Sequence, residues 1–118
     1  MAVNRRLEIS SVGDVTLVRF LDRKILDEAI IQQVGQELFR LVDIDQCRSL
    51  VLSFASVDFL SSAALGKLIT LDKKVKALGG KLKLSNIRPE IMEVFSLTRL
   101  DRFFEIKTDE SAALAEFA

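Results

Sequence analysis

Two adjacent hydroxyls, Ser61 and Ser62, are the side chains in this sequence best placed to take part in chemistry. They follow an apolar run, residues 50–54, that predicts a strand buried on both faces, and they precede a run with helical spacing. They therefore fall at a helix N-terminus, where the first backbone N–H groups lack intrahelical partners. One serine can cap these groups, which stabilises a helix by about 1 kcal/mol. A serine at this position can also accept a phosphate, because a helix N-terminus favours negative charge.

The composition excludes most enzymatic uses of these hydroxyls. The chain has no histidine and a single cysteine, Cys47. Ser-His-Asp and Cys-His catalysis are therefore impossible, and a zinc site built from imidazole and thiolate ligands cannot form. The turn at residues 59–63 also lacks the glycines with which a nucleotide-binding loop approaches phosphates. We predict that the protein is not an enzyme and holds no cofactor and no metal.

Length and composition indicate one globular domain over residues 1–118. Of the 118 residues, 49% are apolar and 29% are charged, as in an average soluble protein. The 17 basic side chains balance the 17 acidic ones, so the basic surface that binds nucleic acid is not expected. No apolar run approaches the roughly 20 residues of a membrane-spanning helix. We predict a cytoplasmic protein that binds neither nucleic acid nor membrane.

The pattern along the chain predicts an α/β fold. A hairpin is expected over residues 7–20 with a turn at Gly13-Asp14, and residues 21–25 are expected to form a polar loop. From residue 49 onward strands and helices alternate, which implies parallel strands and a mixed sheet of about four to five strands with about four helices. The first predicted helix has Leu26, Ile30, Val34, Leu38 and Leu41 on one face, and a strand over residues 49–54 and a helix ending at Gly79-Gly80 follow it. A strand with one solvent-exposed face is predicted over residues 81–86, and then a helix over residues 90–100 that buries Ile91, Val94, Phe95 and Leu97. The last two predicted elements are a strand over residues 103–107 and a helix over residues 110–117 capped by Asp109.

Helical periodicity separates two faces of the helix that follows the serines. With about 3.6 residues per turn, the buried stripe comprises Ala64, Leu68, Leu71, Val75 and Leu78. The outward face comprises Ser62, Gly66, Ile69 and Lys73, with Leu65 at the border. A capping serine needs no exposed apolar neighbours, so this surface favours an interaction site at the carboxyl ends of the strands, where ligands of parallel sheets gather.

Three features carry a family resemblance: the order of elements, the Leu21-Asp22 loop before the first helix, and the segment Val57-Asp58-Phe59-Leu60-Ser61-Ser62-Ala63-Ala64-Leu65-Gly66. Together they resemble the STAS domain, the family of bacterial anti-sigma factor antagonists, over nearly the whole chain. In that family the segment has an aspartate, then the serine that is phosphorylated, then usually serine or threonine, glycine, leucine and glycine. Aligned on Leu65-Gly66, Ser62 matches the phosphorylated position, and Ser61 stands where the family has the aspartate.

The resemblance implies a protein-interaction module controlled by phosphorylation. Its partners would be an anti-sigma factor that is also a serine kinase, and a serine phosphatase. The unmodified domain would bind the kinase and release its sigma factor, and phosphorylation of Ser62, or alternatively of Ser61, would end the complex. The partner surface would comprise Leu21, Asp22, Arg23, Leu60, Ser61, Ser62, Leu65, Gly66 and Ile69.

Two other functions stay open at this level. The chain could be a scaffold or sensory subunit of a larger signalling assembly in which the serine is never modified, or a small-ligand binding domain with a pocket at the strand ends. We expect a monomer or a weak dimer. A stable large oligomer would favour the scaffold, and strong thermal stabilisation by one metabolite would favour the ligand-binding domain.

Overall fold

Alternating and continuous apolar runs build a mixed sheet in the computed structural model, which describes residues 6–117. The strands are β1 (Leu7–Val12), β2 (Val15–Phe20), β3 (Lys24–Ile25), β4 (Ser49–Ser53), β5 (Phe59–Leu60), β6 (Lys81–Ser85) and β7 (Glu105–Lys107). The larger sheet has the order β1-β2-β4-β6-β7, with β1 antiparallel to β2 and the other neighbours parallel. The predicted hairpin and mixed sheet are confirmed.

The helices connect the parallel strands and close the chain. They are α1 (Glu28–Asp43), α2 (Ser62–Ala77), α3 (Pro89–Leu97), α4 (Leu100–Phe103) and α5 (Glu110–Ala115). One face of the larger sheet carries the main core, in which Phe20, Phe54, Phe95 and Phe104 form a chain of ring contacts at centroid distances of 4.7, 6.4 and 6.1 Å. No helix within residues 6–117 is long and apolar enough to cross a membrane.

The segment predicted as a polar loop, residues 21–25, ends in a strand. β3 pairs in parallel with β5, so that Lys24 lies opposite Phe59 and Ile25 lies opposite Leu60. Ile25 is buried in the main core, and its burial acts with backbone hydrogen bonds to the carbonyls of Arg23 and Ile25 to hold the segment against β5. The pairing places the segment before α1 directly beside the residues that precede Ser61.

Two predicted helix boundaries are wrong. α1 begins at Glu28, so Leu26 lies before the helix and is 51% exposed instead of belonging to its buried face. α3 ends at Leu97, which is 84% exposed and not buried as predicted. The reason is the left-handed backbone of Arg99, with φ of 63°, which redirects the chain into α4. Phe103 therefore ends α4, and the last strand begins at Glu105.

Two glycines follow the end of α2, and each is required for a different physical reason. Gly79 takes a left-handed conformation with φ of 74°, as is common just beyond a helix C-terminus. Gly80 donates its N–H to the carbonyl of Val75 at 3.0 Å, and a Cβ at this residue would overlap the backbone carbonyl of Arg48. The chain thus passes from α2 into β6 through a contact that only glycine allows.

Substitution Gly80→Ala should lower the free energy of unfolding by about 2–3 kcal/mol, because backbone must shift to admit the methyl group. The matched variant Gly66→Ala places a methyl group in open space within α2 and should raise it by about 0.5–1 kcal/mol through helix propensity. Urea denaturation followed by circular dichroism measures both. Equal stability of the two variants would contradict this account of the α2 to β6 connection.

Candidate functional site

Ser61 is the capping serine of α2. Its Oγ accepts a hydrogen bond from the backbone N–H of Ala64 at 3.4 Å, and its extended backbone precedes the first helical residue. The Ser61 N–H donates to the carbonyl of Ile25 at 3.1 Å, which continues the pairing of β3 with β5. The predicted N-cap is confirmed, and it is the first of the two serines.

Ser62 occupies the first position of α2 and is exposed. Gly66 and Lys73 are also exposed and Ile69 is half-buried, so the outward face predicted from periodicity is confirmed. Leu65 does not belong to it. Its side chain is only 3% exposed and packs in the main core. The buried apolar stripe of α2 is wider than the stripe predicted from helical periodicity, and it includes Leu65. The prediction of Leu65 as a surface residue is therefore wrong.

The segment before β3 supplies two exposed side chains to the same edge of the sheet. Leu21 is 53% exposed, and Arg23 has a side chain that is 76% exposed. Asp22 between them is directed inward: it binds Arg6 Nη1 at 2.9 Å, and its Oδ2 is buried without a hydrogen-bond partner in residues 6–117. Asp22 therefore anchors the segment, while Leu21 is exposed and Arg23 is exposed with its guanidinium group paired with Asp58.

Asp58 joins three parts of this edge through one carboxylate. Its Oδ2 accepts hydrogen bonds from Arg23 Nε at 2.7 Å and lies 2.6 Å from Arg23 Nη2, and its Oδ1 lies 2.8 Å from Arg88 Nε. Arg88 is the residue before α3, so this carboxylate links the β3 segment, β5 and the start of α3. Sequence reasoning missed the cluster, since no local spacing relates three residues so far apart along the chain.

An exposed aromatic ring extends the surface beyond the predicted residues. Phe59 is 53% exposed, and the Nζ of Lys24 lies 5.7 Å from its ring centroid. Phe59 and the half-buried Leu60 form one wall of a groove of about 420 Å³, and Ile91 and Val94 of α3 line the other side. Burial alternates between Phe59 and Leu60 in β5. A two-residue strand is too short for this alternation to be recognised in the sequence.

We name the Ser62 surface by its members: Leu21, Arg23, Phe59, Leu60, Ser61, Ser62, Gly66 and Ile69. It combines an exposed hydroxyl at a helix N-terminus with arginine and apolar side chains. The chain has no histidine to activate the hydroxyl, and residues 6–117 contain no cluster of three or more side chains suited to a metal ion. Such a surface can bind a protein and can receive a phosphate, and it has no imidazole with which to catalyse acyl transfer.

The two serines should differ in their effect on stability. Ser61→Ala removes the capping oxygen and should lower the free energy of unfolding by about 1 kcal/mol. Ser62→Ala removes an exposed hydroxyl and should change it by less than about 0.5 kcal/mol. Urea denaturation measures both free energies of unfolding, and the slope of that free energy against urea concentration should be the same in the variants as in the wild type. A larger loss for Ser62→Ala than for Ser61→Ala would reassign the cap.

Known proteins share this architecture, and some of them are similar in sequence. The family model of the STAS domain matches residues 6–113. BtrV of Bordetella bronchiseptica, named as a candidate anti-sigma factor antagonist, is 29% identical over 93 residues, which cover 79% of each chain. An anti-sigma-factor antagonist (STAS) domain protein of Planctomyces limnophilus has a TM-score of 0.83 and 21% identity, with 95% of this chain and 97% of that chain covered.

The Bacillus cell fate determinant SpoIIAA, solved in its phosphorylated form, has a TM-score of 0.72 and 17% identity, with 95% of this chain and 99% of that one covered. At these identities the solved structures show that the fold is shared. The matched range runs from the residue before β1 into α5, so it covers the residues of the cap, the Ser62 surface and the Asp58 cluster. The chain belongs to the STAS domain family.

Proposed function

We propose that this protein is an anti-sigma factor antagonist that binds its partner through the Ser62 surface and leaves it when Ser62 is phosphorylated. The observation that carries the proposal is the exposure of Ser62 at the first position of α2, next to a serine that already caps the helix. The partner is an anti-sigma factor with serine kinase activity, and a serine phosphatase restores the unmodified form. Both reactions belong to the cytoplasm, where the protein acts by binding and not as an enzyme.

The geometry supports Ser62 over Ser61 as the phosphate acceptor. The Ser61 oxygen is held by the N–H of Ala64, and the residue is only half-exposed. A phosphate on Ser61 would have to displace this bond or crowd the β3 to β5 pairing. Ser62 has an exposed side chain on the outward face, so a kinase can reach it without opening the fold.

A phosphate on Ser62 would change the surface and leave the fold intact. It adds about −1.5 to −2 charges. The positive end of the α2 dipole favours that charge, and therefore the folded domain tolerates it. A partner that packs against Leu21, Phe59 and Ile69 would instead have to desolvate the phosphate, which is strongly unfavourable. Phosphorylation therefore weakens binding of the partner without a comparable loss of stability in the folded domain.

Exposed apolar area provides the affinity of the unmodified form. Leu21 and Phe59 are both 53% exposed and lie at the same edge as Ser62, with Arg23 beside them. Aromatic and arginine side chains are the residues that most often dominate the energy of protein interfaces. The name of the relative BtrV as a candidate anti-sigma factor antagonist supports a role in binding a protein partner.

Phosphorylation tests the acceptor directly. A cognate serine kinase with ATP should add one phosphate to the wild type and to Ser61→Ala, and none to Ser62→Ala, as measured by mass spectrometry of the intact chains and of their peptides. Ser61→Ala is the matched control because it removes the neighbouring hydroxyl and keeps the acceptor. Phosphate found only on Ser61, or no phosphate on the wild type, would refute the assignment.

Truncation of the exposed ring tests the binding surface. Phe59→Ala should weaken binding of the unmodified protein to the kinase by at least about tenfold, or about 1.4 kcal/mol, in isothermal titration calorimetry. The control is Leu97→Ala, which removes an 84% exposed apolar side chain from α3 and should leave the affinity unchanged. Equal losses of affinity in both variants would contradict the assignment of the binding contact to Phe59.

A further inference from the structure

The face of the sheet opposite the main core has an unexpected cover. β6 alternates as Lys81, Leu82, Lys83, Leu84, which predicts one face in water. Lys81 is exposed, yet Lys83 is only 3% exposed and Ser85 is fully buried. α5 and the residues that follow it lie over this face, where Ala113, Leu114 and Phe117 pack against Val15, Leu17 and Val51. A face with the composition of a solvated surface is therefore covered by a six-residue helix.

A polar row crosses four strands beneath this cover. Arg19, Ser53, Ser85 and Lys107 are register partners on β2, β4, β6 and β7. Ser53 and Ser85 are both 0% exposed, and the Oγ of Ser85 has no hydrogen-bond partner in the described part of the chain. A buried hydroxyl without a partner opposes the closed arrangement, since water would satisfy it in an open one.

Charged contacts and apolar packing both hold α5 in place. Glu110 accepts hydrogen bonds from Arg19 Nη2 at 2.7 Å and from Arg19 Nε at 2.9 Å. At the other end of the segment, Glu116 lies 3.7 Å from the Nζ of Lys107, and Lys83 pairs with Glu105 and lies 6.0 Å from the ring centroid of Phe117. Only Ala113 of α5 is fully buried.

The protonation equilibria agree with an electrostatic attachment. The hydrogen bond from Arg19 holds the pKa of Glu110 below its ordinary value, and a hydrogen bond from Ser53 acts in the same direction. Burial lowers the pKa of Lys83, while the Glu116 carboxylate opposes that shift. The closed arrangement thus keeps Glu110 ionised at a cost to the charged form of Lys83.

We propose that this face is a second interaction surface, that α5 is its displaceable occupant, and that it accepts an acidic amphipathic helix of another protein in place of α5. The surface comprises Val15, Leu17, Arg19, Val51, Ser53, Lys83, Ser85 and Lys107. The chemistry of the present occupant defines the ligand: three acids, Asp109, Glu110 and Glu116, accompany small apolar residues and a terminal aromatic ring. A competing helix needs one acid that meets Arg19, a second acid near Lys107 and apolar residues between them, as Glu110 and Glu116 provide, while Asp109 caps the helix.

This second surface is separate from the Ser62 surface. α2 packs in the main core, while α5 lies across the other face of the sheet. A partner helix bound in place of α5 would leave the Ser62 surface accessible, so one chain could be tethered on one face and switched on the other. The inference does not depend on the kinase or on phosphorylation.

Hydrogen exchange of the full chain measures displacement of α5. The α5 amides should exchange through a local opening that is independent of low urea concentrations, while amides of β4 exchange only on global unfolding. Arg19→Gln should accelerate exchange in α5 about tenfold, in keeping with the loss of a charged hydrogen-bonded pair. The matched control Arg23→Gln removes an ion pair at the other site and should leave α5 exchange unchanged. Exchange of α5 only on global unfolding would overturn the proposal.

Binding is tested with a synthetic peptide of residues 108–118 added to the full-length Glu110→Gln variant, in which the internal helix is weakened. Amide chemical shifts of Val51, Ser53 and Lys83 should move with the acidic peptide and not with a control peptide that carries lysine at the three acidic positions. Three results would overturn the proposal: equal effects of both peptides, shifts confined to the Ser62 surface, or a dimer by light scattering that shows exchange of α5 between copies instead of peptide binding.

Discussion

The Asp58 carboxylate is the interaction on which the geometry of the functional edge depends. It is held by Arg23 on one side and by Arg88 on the other, and its own side chain is largely buried. Three segments that are distant in sequence therefore share one charged centre, and each carries part of the surface: the β3 segment, β5 and the start of α3. The Asp58 side chain is 17% exposed and its two arginine partners are 76% and 50% exposed, so the cluster is a partly solvated link between these segments. Asp58, Arg23 and Arg88 also line the groove beside Phe59.

The two serines divide a structural task from a chemical one. Ser61 satisfies an orphan N–H of α2 and continues the β3 to β5 pairing, so it is committed to the fold. Ser62 has the opposite character, since it lies one residue further into the helix and points its side chain to solvent. A modification at Ser62 can therefore act on a partner without disturbing the cap. Serine suits residue 61 because its side chain caps helices well.

The two faces of the sheet differ in how they are stabilised. On one face, rings and aliphatic side chains form a continuous core with α1, α2 and α3. On the other, a small apolar cluster is surrounded by ion pairs and buried hydroxyls beneath α5. Apolar burial is insensitive to the identity of the partner, whereas charged contacts are specific and can be exchanged for others of the same pattern. The fold thus combines a continuous apolar core on one face of the sheet with a smaller, mixed polar and apolar contact to α5 on the other.

The sequence predicted the hairpin from its turn, the parallel strands from the order of elements, the outward face of α2 from helical periodicity, and the two candidate serines from the junction between a strand and a helix. These features depend on neighbours within a few residues, which is the range over which apolar spacing and capping operate. Tertiary structure alone decided that Leu65 is buried, that Leu97 and Leu26 are exposed, and that Lys83 lies beneath α5. It also brought Arg23 and Arg88 to Asp58. Each of these outcomes depends on which distant segment packs against a residue, and local spacing contains no information about that choice.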